Sequence, residues 1–312
     1  MRAATIREGE ILIEEHPDPV AGSEEVVVQV HAAALNGADM MQRRGLYPAP
    51  AGSPQDIPGM EFAGEVIALG AGALRFGVGD RVMGIVGGGA QAELVVAHER
   101  VLMAVPEGLD WQAAGGLPEV FTTAHDALFT QAELRPGERL LVHGGAGGVG
   151  TAAIQLARAA GASVTASVRN EALREQVGAL GASVIAPEGF AEHGPFDVIL
   201  ELVGAPNMAE NLQALDTGGR IAVIGVGGGA KSEINLLALM GKRARIHGST
   251  LRARPLEEKA LVARRVEREV LPLFEAGELR VPVAETFPLD QAAAAYARFA
   301  AGGKLGKIVI VL

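Results

Sequence analysis

The chain has 312 residues, 49% of them apolar and 21% charged, with a formal charge of −10 and a pI near 5.3. That length and apolar share support a large core divided over two domains, and the acidic balance without a basic tract excludes nucleic acid and anionic membranes as partners. Cysteine is absent, which removes disulfides, thiol catalysis and every cysteine-based zinc site.

In chain order, the first hundred residues read as β-rich. Strands are predicted at Val26–Val30, Glu61–Leu69, Arg81–Val86 and Gln91–Val96, between turns rich in Gly and Pro. A short helix is predicted from Gly37 to Arg44, capped by Asn36 with Asp39 at its third position and stopped by Gly45. From Trp111 to Glu133 the pattern is helical, with a break at Pro118. Strands at 139–143, 163–168, 183–186, 197–202, 220–225 and 245–249 then alternate with helices at 149–160, 171–180, 207–215 and 233–241. This is the α/β pattern of a six-stranded, doubly wound parallel sheet of the Rossmann kind. Two amphipathic helices, 256–276 and 289–301, precede a last strand from Lys307 to Leu312, which is expected to return to the first domain. No apolar run reaches the roughly 18 residues of a membrane span, and Met1-Arg2-Ala3-Ala4 does not begin a signal peptide. A cytoplasmic protein is the expectation.

The stretch with the most chemical content is Arg139 to Gly150. An apolar strand enters Gly144-Gly145-Ala146-Gly147-Gly148-Val149-Gly150, and an Ala-rich helix leaves it. Glycines 145, 147 and 150 fit G-x-G-x-x-G, and 145, 148 and 150 fit G-x-x-G-x-G. Either spacing lets main-chain amides approach a pyrophosphate at a helix N-terminus. In such folds an Asp or Glu about 20 residues further on holds the ribose 2′-hydroxyl. Here the second strand ends in Ser167-Val168-Arg169-Asn170. A hydroxyl and a guanidinium suit a 2′-phosphate, which a carboxylate would repel, so NADPH is the expected cofactor. Val203, Ile224, Gly225 and Val226 end the fourth and fifth strands, at the carboxyl edge where ligands of these sheets bind.

Several stretches together resemble the medium-chain dehydrogenase/reductase superfamily, in its zinc-independent quinone oxidoreductase branch, with particular likeness to the p53-inducible quinone oxidoreductases. They are Asn36 to Tyr47, Pro58-Gly59-Met60-Glu61, Gly87 to Glu93, Leu117-Pro118-Glu119 with Thr122-Thr123-Ala124, the glycine loop, and Leu305 to Val309. The resemblance implies a GroES-like β-barrel domain from residues 1–117 and 256–312, and a Rossmann domain over 118–255, with cofactor and substrate meeting in the cleft between them. It implies that Tyr47 lines the substrate site, that Asn36 contacts nicotinamide or substrate, and that Thr123, Leu251 and Lys304 approach the cofactor beside Gly145, Ala146, Gly147, Gly148, Val149 and Gly150. It further implies a homodimer or homotetramer, for which 245–250 is the candidate sheet edge.

Zinc-bearing relatives carry Gly-His-Glu where this chain has Gly59-Met60-Glu61, and a Cys near Asn36. A thioether is a poor Zn²⁺ ligand, so no metal is expected. Alcohol oxidation needs a Lewis acid or base to remove the hydroxyl proton, whereas a quinone or conjugated enone accepts hydride once positioned and hydrogen-bonded. Metal-free reduction of a quinone or enone is the resulting expectation. Two alternatives stay open: a 2-alkenal or enoyl reductase, and a dinucleotide-binding structural or sensor protein with little turnover.

Overall fold

A computed structural model describes residues 1–312. The chain opens with a hairpin, β1 (Arg2–Arg7) and β2 (Glu10–Glu15), and continues through β3 (Glu25–Ala34), α1 (Gly37–Arg43), β4 (Glu61–Leu69), β5 (Arg81–Ile85), β6 (Leu94–His98) and β7 (Leu102–Ala104). Helices α2 (Trp111–Gly115) and α3 (Pro118–His125) follow, and α3 runs into a π-helical turn, Asp126–Gln131. The alternating section comprises β8 (Arg139–His143), α4 (Gly148–Ala159), β9 (Ser163–Ser167), α5 (Arg174–Gly178), β10 (Ser183–Ile185), β11 (Phe196–Glu201), α6 (Met208–Ala214), β12 (Leu215–Val223), α7 (Leu236–Lys242) and β13 (Arg245–Gly248). The chain closes with α8 (Leu256–Glu269), α9 (Leu271–Glu275), β14 (Val283–Pro288), α10 (Ala292–Ala301) and β15 (Lys307–Val311). No helix is long and apolar enough to cross a membrane.

Two compact units result. The first combines 1–122, 251–302 and 307–312; the second combines 123–250 with 303–306. In the first unit a seven-stranded path runs β14-β15-β3-β4-β5-β7, with β6 on β3. β3 lies between β15, antiparallel through Val309↔Ala34, and β4, antiparallel through Ala32↔Ala63. The final strand therefore rejoins the first domain, as its apolar run after two helices predicts. Val26, Val28, Phe62, Val82 and Leu102 form one core of this unit, and Leu35, Met40, Tyr296, Ile308 and Ile310 form another. Burial of such a side chain contributes about 1.5–3 kcal/mol.

The second unit holds a six-stranded sheet in the order β10-β9-β8-β11-β12-β13, parallel at every pairing. That order is the doubly wound arrangement with its crossover between β8 and β11. Its central strand Phe196–Glu201 buries five of its six side chains, as a strand covered on both faces must.

Differences from expectation are local. The strand expected at Gln91–Val96 lies at Leu94–His98, because the preceding Gly-Ala run gives no alternation to set a boundary. The helix expected over 171–180 is a 3₁₀ turn, Glu171–Leu173, followed by α5. Asn36 is the N-cap of α1, as expected, and Asp39 at the third position closes the capping box by accepting the Asn36 N–H at 2.8 Å.

Candidate functional site

In the second unit, β8 ends at His143 and the chain turns through Gly144–Gly147 into α4. The first main-chain bond of α4 runs from Thr151 N–H to the Gly147 carbonyl at 2.8 Å. The amides of Gly148, Val149 and Gly150 precede it and have no acceptor within the helix. The turn is too tight for a side chain at Gly145 or Gly150. A Cβ at Gly150 would stand 2.4 Å from the Gly144 carbonyl oxygen, and one at Gly145 2.9 Å from Cβ of Ala166. Free amides at a helix start, beside glycines that leave the backbone open, make an anion cradle.

Residues 303–306 lie along this cradle. Gly306 N–H donates to the Ala146 carbonyl at 2.8 Å, and Gly303 adjoins the Asn170 amide. Lys304, whose ammonium donates to the Gly306 carbonyl at 2.7 Å, thus stands on a strap between the tip of β9 and the glycine turn. At that tip Arg169 and Asn170 are exposed. Asn170 Oδ1 accepts the Ala172 N–H at 3.1 Å, and Arg174 Nε donates to the Val168 carbonyl at 3.1 Å. Arg174 thus braces the tip and lies 4.0 Å from the Glu171 carboxylate, which leaves the exposed Arg169 as the cation that fits an anionic 2′-substituent.

Ser167 is not grouped with them. It is 3% exposed and its hydroxyl bonds to His143 Nδ1 at 2.9 Å. Asn211 Nδ2 donates to Glu201 at 2.6 Å, so Asn211 Oδ1 accepts the His143 Nε2 proton at 2.7 Å. Nδ1 is then the acceptor and the Ser167 proton points inward. Burial, the largest influence, pulls the His143 pKa below its ordinary value despite nearby Glu201, in keeping with this neutral ring. The same Glu201 carboxylate accepts the N–H groups of Val203 (2.6 Å) and Gly204 (2.7 Å), and its main-chain carbonyl accepts those of Ile224 (2.9 Å) and Gly225 (3.1 Å). One buried acid therefore fixes the carboxyl ends of both β11 and β12, leaving Val226 exposed. Thr123 is buried on α3.

In the first unit, the strand order β15-β3-β4 brings together Asn36, which follows β3, Glu61, which opens β4, and Lys307, which opens β15. The Lys307 ammonium donates to Glu61 Oε1 (2.7 Å), Asn36 Oδ1 (2.7 Å) and the Leu35 carbonyl (2.9 Å), which uses all three of its protons. Asn36 Nδ2 donates to Glu61 Oε1 at 2.9 Å, and Glu61 Oε2 accepts the Glu119 N–H at 2.8 Å. Glu61 is 0% and Lys307 2% exposed. Beneath them, burial pushes the Asp39 carboxyl up to about 6, against two main-chain N–H bonds and the fields of Lys307 and Arg252. These donors do not suit a metal ion: both ends of the Asn36 amide are committed, an ammonium already neutralises Glu61, and Met60 offers only a thioether. No group of three or more His, Asp or Glu side chains converges in a metal-binding arrangement anywhere in the chain.

Tyr47 is half-buried in the loop after α1. Burial, the largest influence, raises its phenol pKa, and its ring lies over the Arg252 guanidinium, 5.2 Å from carbon to centroid. Arg252 is 2% exposed and donates to the carbonyls of Gly87 (2.8 Å) and Tyr47 (3.1 Å) and to Gln42 Oε1. It pins two glycine- and proline-rich loops to one another, a role that sequence reasoning missed along with the Lys307–Glu61 pair. Leu251, beside it, is buried and lines a small cavity of the first unit with Ile85, Met103 and Val262.

The comparisons agree with this architecture. The profile of the alcohol dehydrogenase GroES-like domain matches residues 22–107, and that of the zinc-binding dehydrogenases matches 180–310. Quinone oxidoreductase of Rattus norvegicus is 32% identical over 94% of this chain and 91% of its own length. The pikromycin polyketide synthase component PikAII of Streptomyces venezuelae is 33% identical over 95% of this chain but 8% of its own. The solved quinone oxidoreductase of Pseudomonas syringae superposes with a TM-score of 0.88 at 27% identity, covering 100% of both chains. The chain is an oxidoreductase of the alcohol dehydrogenase, or medium-chain dehydrogenase/reductase, superfamily and belongs to its quinone oxidoreductase family.

Proposed function

We propose that the protein is an NADPH-dependent reductase that transfers hydride to quinones without a metal ion. The observation that carries this reading is the pairing of a strand tip, Ser167 to Asn170, that has no carboxylate of its own and exposes Arg169, with a donor set at Asn36, Met60 and Glu61 that does not suit zinc. Bound NADPH supplies the hydride. The amides of Gly148, Val149 and Gly150 hold its diphosphate, with Gly145, Ala146 and Gly147 giving clearance. Arg169, Asn170 and Lys304 take the 2′-phosphate end, with Ser167 behind them as a support. Val203, Ile224, Gly225, Val226, Thr123 and Leu251 serve the rest of the dinucleotide.

Tyr47 and Asn36 are the candidate catalytic residues. The Asn36 amide is held by Lys307 and Glu61, so its part is fixed orientation. The Tyr47 hydroxyl has no partner within the chain and donates to the acceptor oxygen as charge develops there. Solvent provides the last proton.

Steady-state rates with a quinone panel and both nucleotides test the proposal. Arg169→Asp is expected to raise KM for NADPH by about tenfold or more and to leave NADH little affected. Equal loss with both nucleotides would show that Arg169 does not read the phosphate. Tyr47→Phe is expected to lower kcat about tenfold to a hundredfold with cofactor affinity unchanged. An unaltered kcat across the panel removes Tyr47 from the reaction. A second reading, reduction of a 2-alkenal or enoyl group, draws on the PikAII similarity. It gains if 2-alkenals outpace quinones in the same assay.

We further propose a homo-oligomer joined along β13, the outer strand of its sheet, whose open edge invites pairing with a second copy. Beside it α7 exposes Leu236, Leu237 and Met240, an apolar face of the kind that marks interfaces.

A further inference from the structure

The first unit contains a groove of about 450 Å³ whose floor and walls include Val20, Ile57, Val86, Leu94 and Leu256, with Lys259 from the first turn of α8. Of the five lysines in the chain, Lys307, Lys304 and Lys242 donate to carbonyl or carboxylate oxygens, and Lys231 is exposed. Lys259 alone is half-buried and bonded to nothing in the protein. On its other side it closes a cavity of about 20 Å³ lined by Ile85, Val101, Met103, Val262 and Ala263, where the only other polar group is the Thr122 hydroxyl. No counter-charge reaches the ammonium from beneath.

The remaining charged groups along the groove are otherwise engaged. Glu25 accepts the Gly22 N–H at 2.8 Å, His98 faces Glu24 at 3.5 Å, and the N-terminal ammonium pairs with Asp18 at 2.7 Å. Glu257, on the same turn of α8, is held by Arg100 at 2.6 Å. Burial and the positive field of Arg252 both act on Lys259 to lower its pKa, with no carboxylate opposing them. A cation taken partly out of water without a partner is costly, and a ligand that supplies one negative charge relieves that cost.

We propose that this groove binds a small organic monocarboxylate with an apolar body, an aryl or short acyl anion, whose carboxylate pairs with Lys259. One uncompensated cation calls for one negative charge, which argues against a phosphate or a dicarboxylate. Ile57, Val86, Leu94 and Leu256, set among main-chain and polar lining, give a hydrophobic body its contacts. The inference does not depend on the reductase reading.

The test uses the intact protein with its lysines ¹³C-dimethylated, so that each amine reports its own NMR signal, titrated with benzoate and with neutral benzamide. The expected result is a saturable shift of the Lys259 signal with benzoate, no saturable response to benzamide, and only a small linear drift of Lys231. Calorimetry on unlabelled protein is expected to give benzoate binding that weakens at least tenfold in both Lys259→Met and Lys259→Gln. Parallel linear drift of Lys259 and Lys231 overturns the proposal. So does benzoate affinity retained in both variants, or benzamide binding equal to benzoate.

Discussion

Lys307→Met is expected to lower the unfolding free energy by about 3–5 kcal/mol, the usual consequence of leaving one member of a buried ion pair alone. Both partners are almost inaccessible, at 2% and 0% exposure. Methionine fills much of the volume of the lysine stem, so the loss would come from charge more than from packing. It strands the Glu61 carboxylate, which keeps only the Asn36 amide and the Glu119 N–H as donors. It also frees Asn36 Oδ1, so a residue proposed to orient substrate becomes free to turn. Urea unfolding followed by circular dichroism measures the first effect. Adding Glu61→Gln to the variant tests the cause: the double substitution removes both charges and is expected to recover most of the loss. A single-variant loss below about 1 kcal/mol, the range of solvated surface pairs, would show that water reaches this pair.

Lys307 and Asn36 are 271 residues apart, and that separation explains why this cluster was not legible in the sequence. Gly306-Lys307-Ile308-Val309 reads as the start of a strand, and it is one. Nothing in the stretch says that its lysine points inward, because a strand that opens at a domain edge usually sends its charge to water. Arg252 and Arg254 pose the same difficulty: they stand two apart in one short turn, and only the packing of the Tyr47 and Gly87 loops selects Arg252 for burial. The hairpin β1–β2 escaped for a different reason. Its turn at Glu8-Gly9 places both residues at positive φ, 51° and 84°, the geometry that hairpin turns favour, but Glu at the first position is an unusual signal for it. The Rossmann section was legible because its signals are local and repeated. Short apolar strands alternate with helices of amphipathic or Ala-rich pattern, and the first strand runs straight into the glycine turn, so the βα units announce themselves without long-range information. The exposed residues Arg169 and Asn170 were legible for the same reason. Ser167, two residues before Arg169, was not. Its inward turn depends on His143 and Asn211, from another strand and a helix.

Gly150→Ala is expected to weaken NADPH binding by about a hundredfold or more. Two forces oppose each other at this position. Alanine favours a helix over glycine by about 1 kcal/mol, and Gly150 lies within α4. Against this, the new Cβ would stand 2.4 Å from the Gly144 carbonyl oxygen and 2.9 Å from the Gly145 Cα. Both are main-chain atoms that no rotamer change can move. The turn must open, and the amides of Gly148 and Val149 lose the direction that makes them donors to a diphosphate; weakening two charge-assisted bonds at about 1.5–3 kcal/mol each accounts for the expected loss. Gly241→Ala separates the two forces, because Gly241 lies in α7 with nothing within 4 Å of its added methyl. That variant is expected to gain up to about 1 kcal/mol of stability with cofactor affinity unchanged. Fluorescence titration of NADPH against both variants provides the measurement. Undiminished affinity in Gly150→Ala would mean that the glycine turn does not carry the diphosphate, and the dinucleotide would have to be sought elsewhere on the sheet edge.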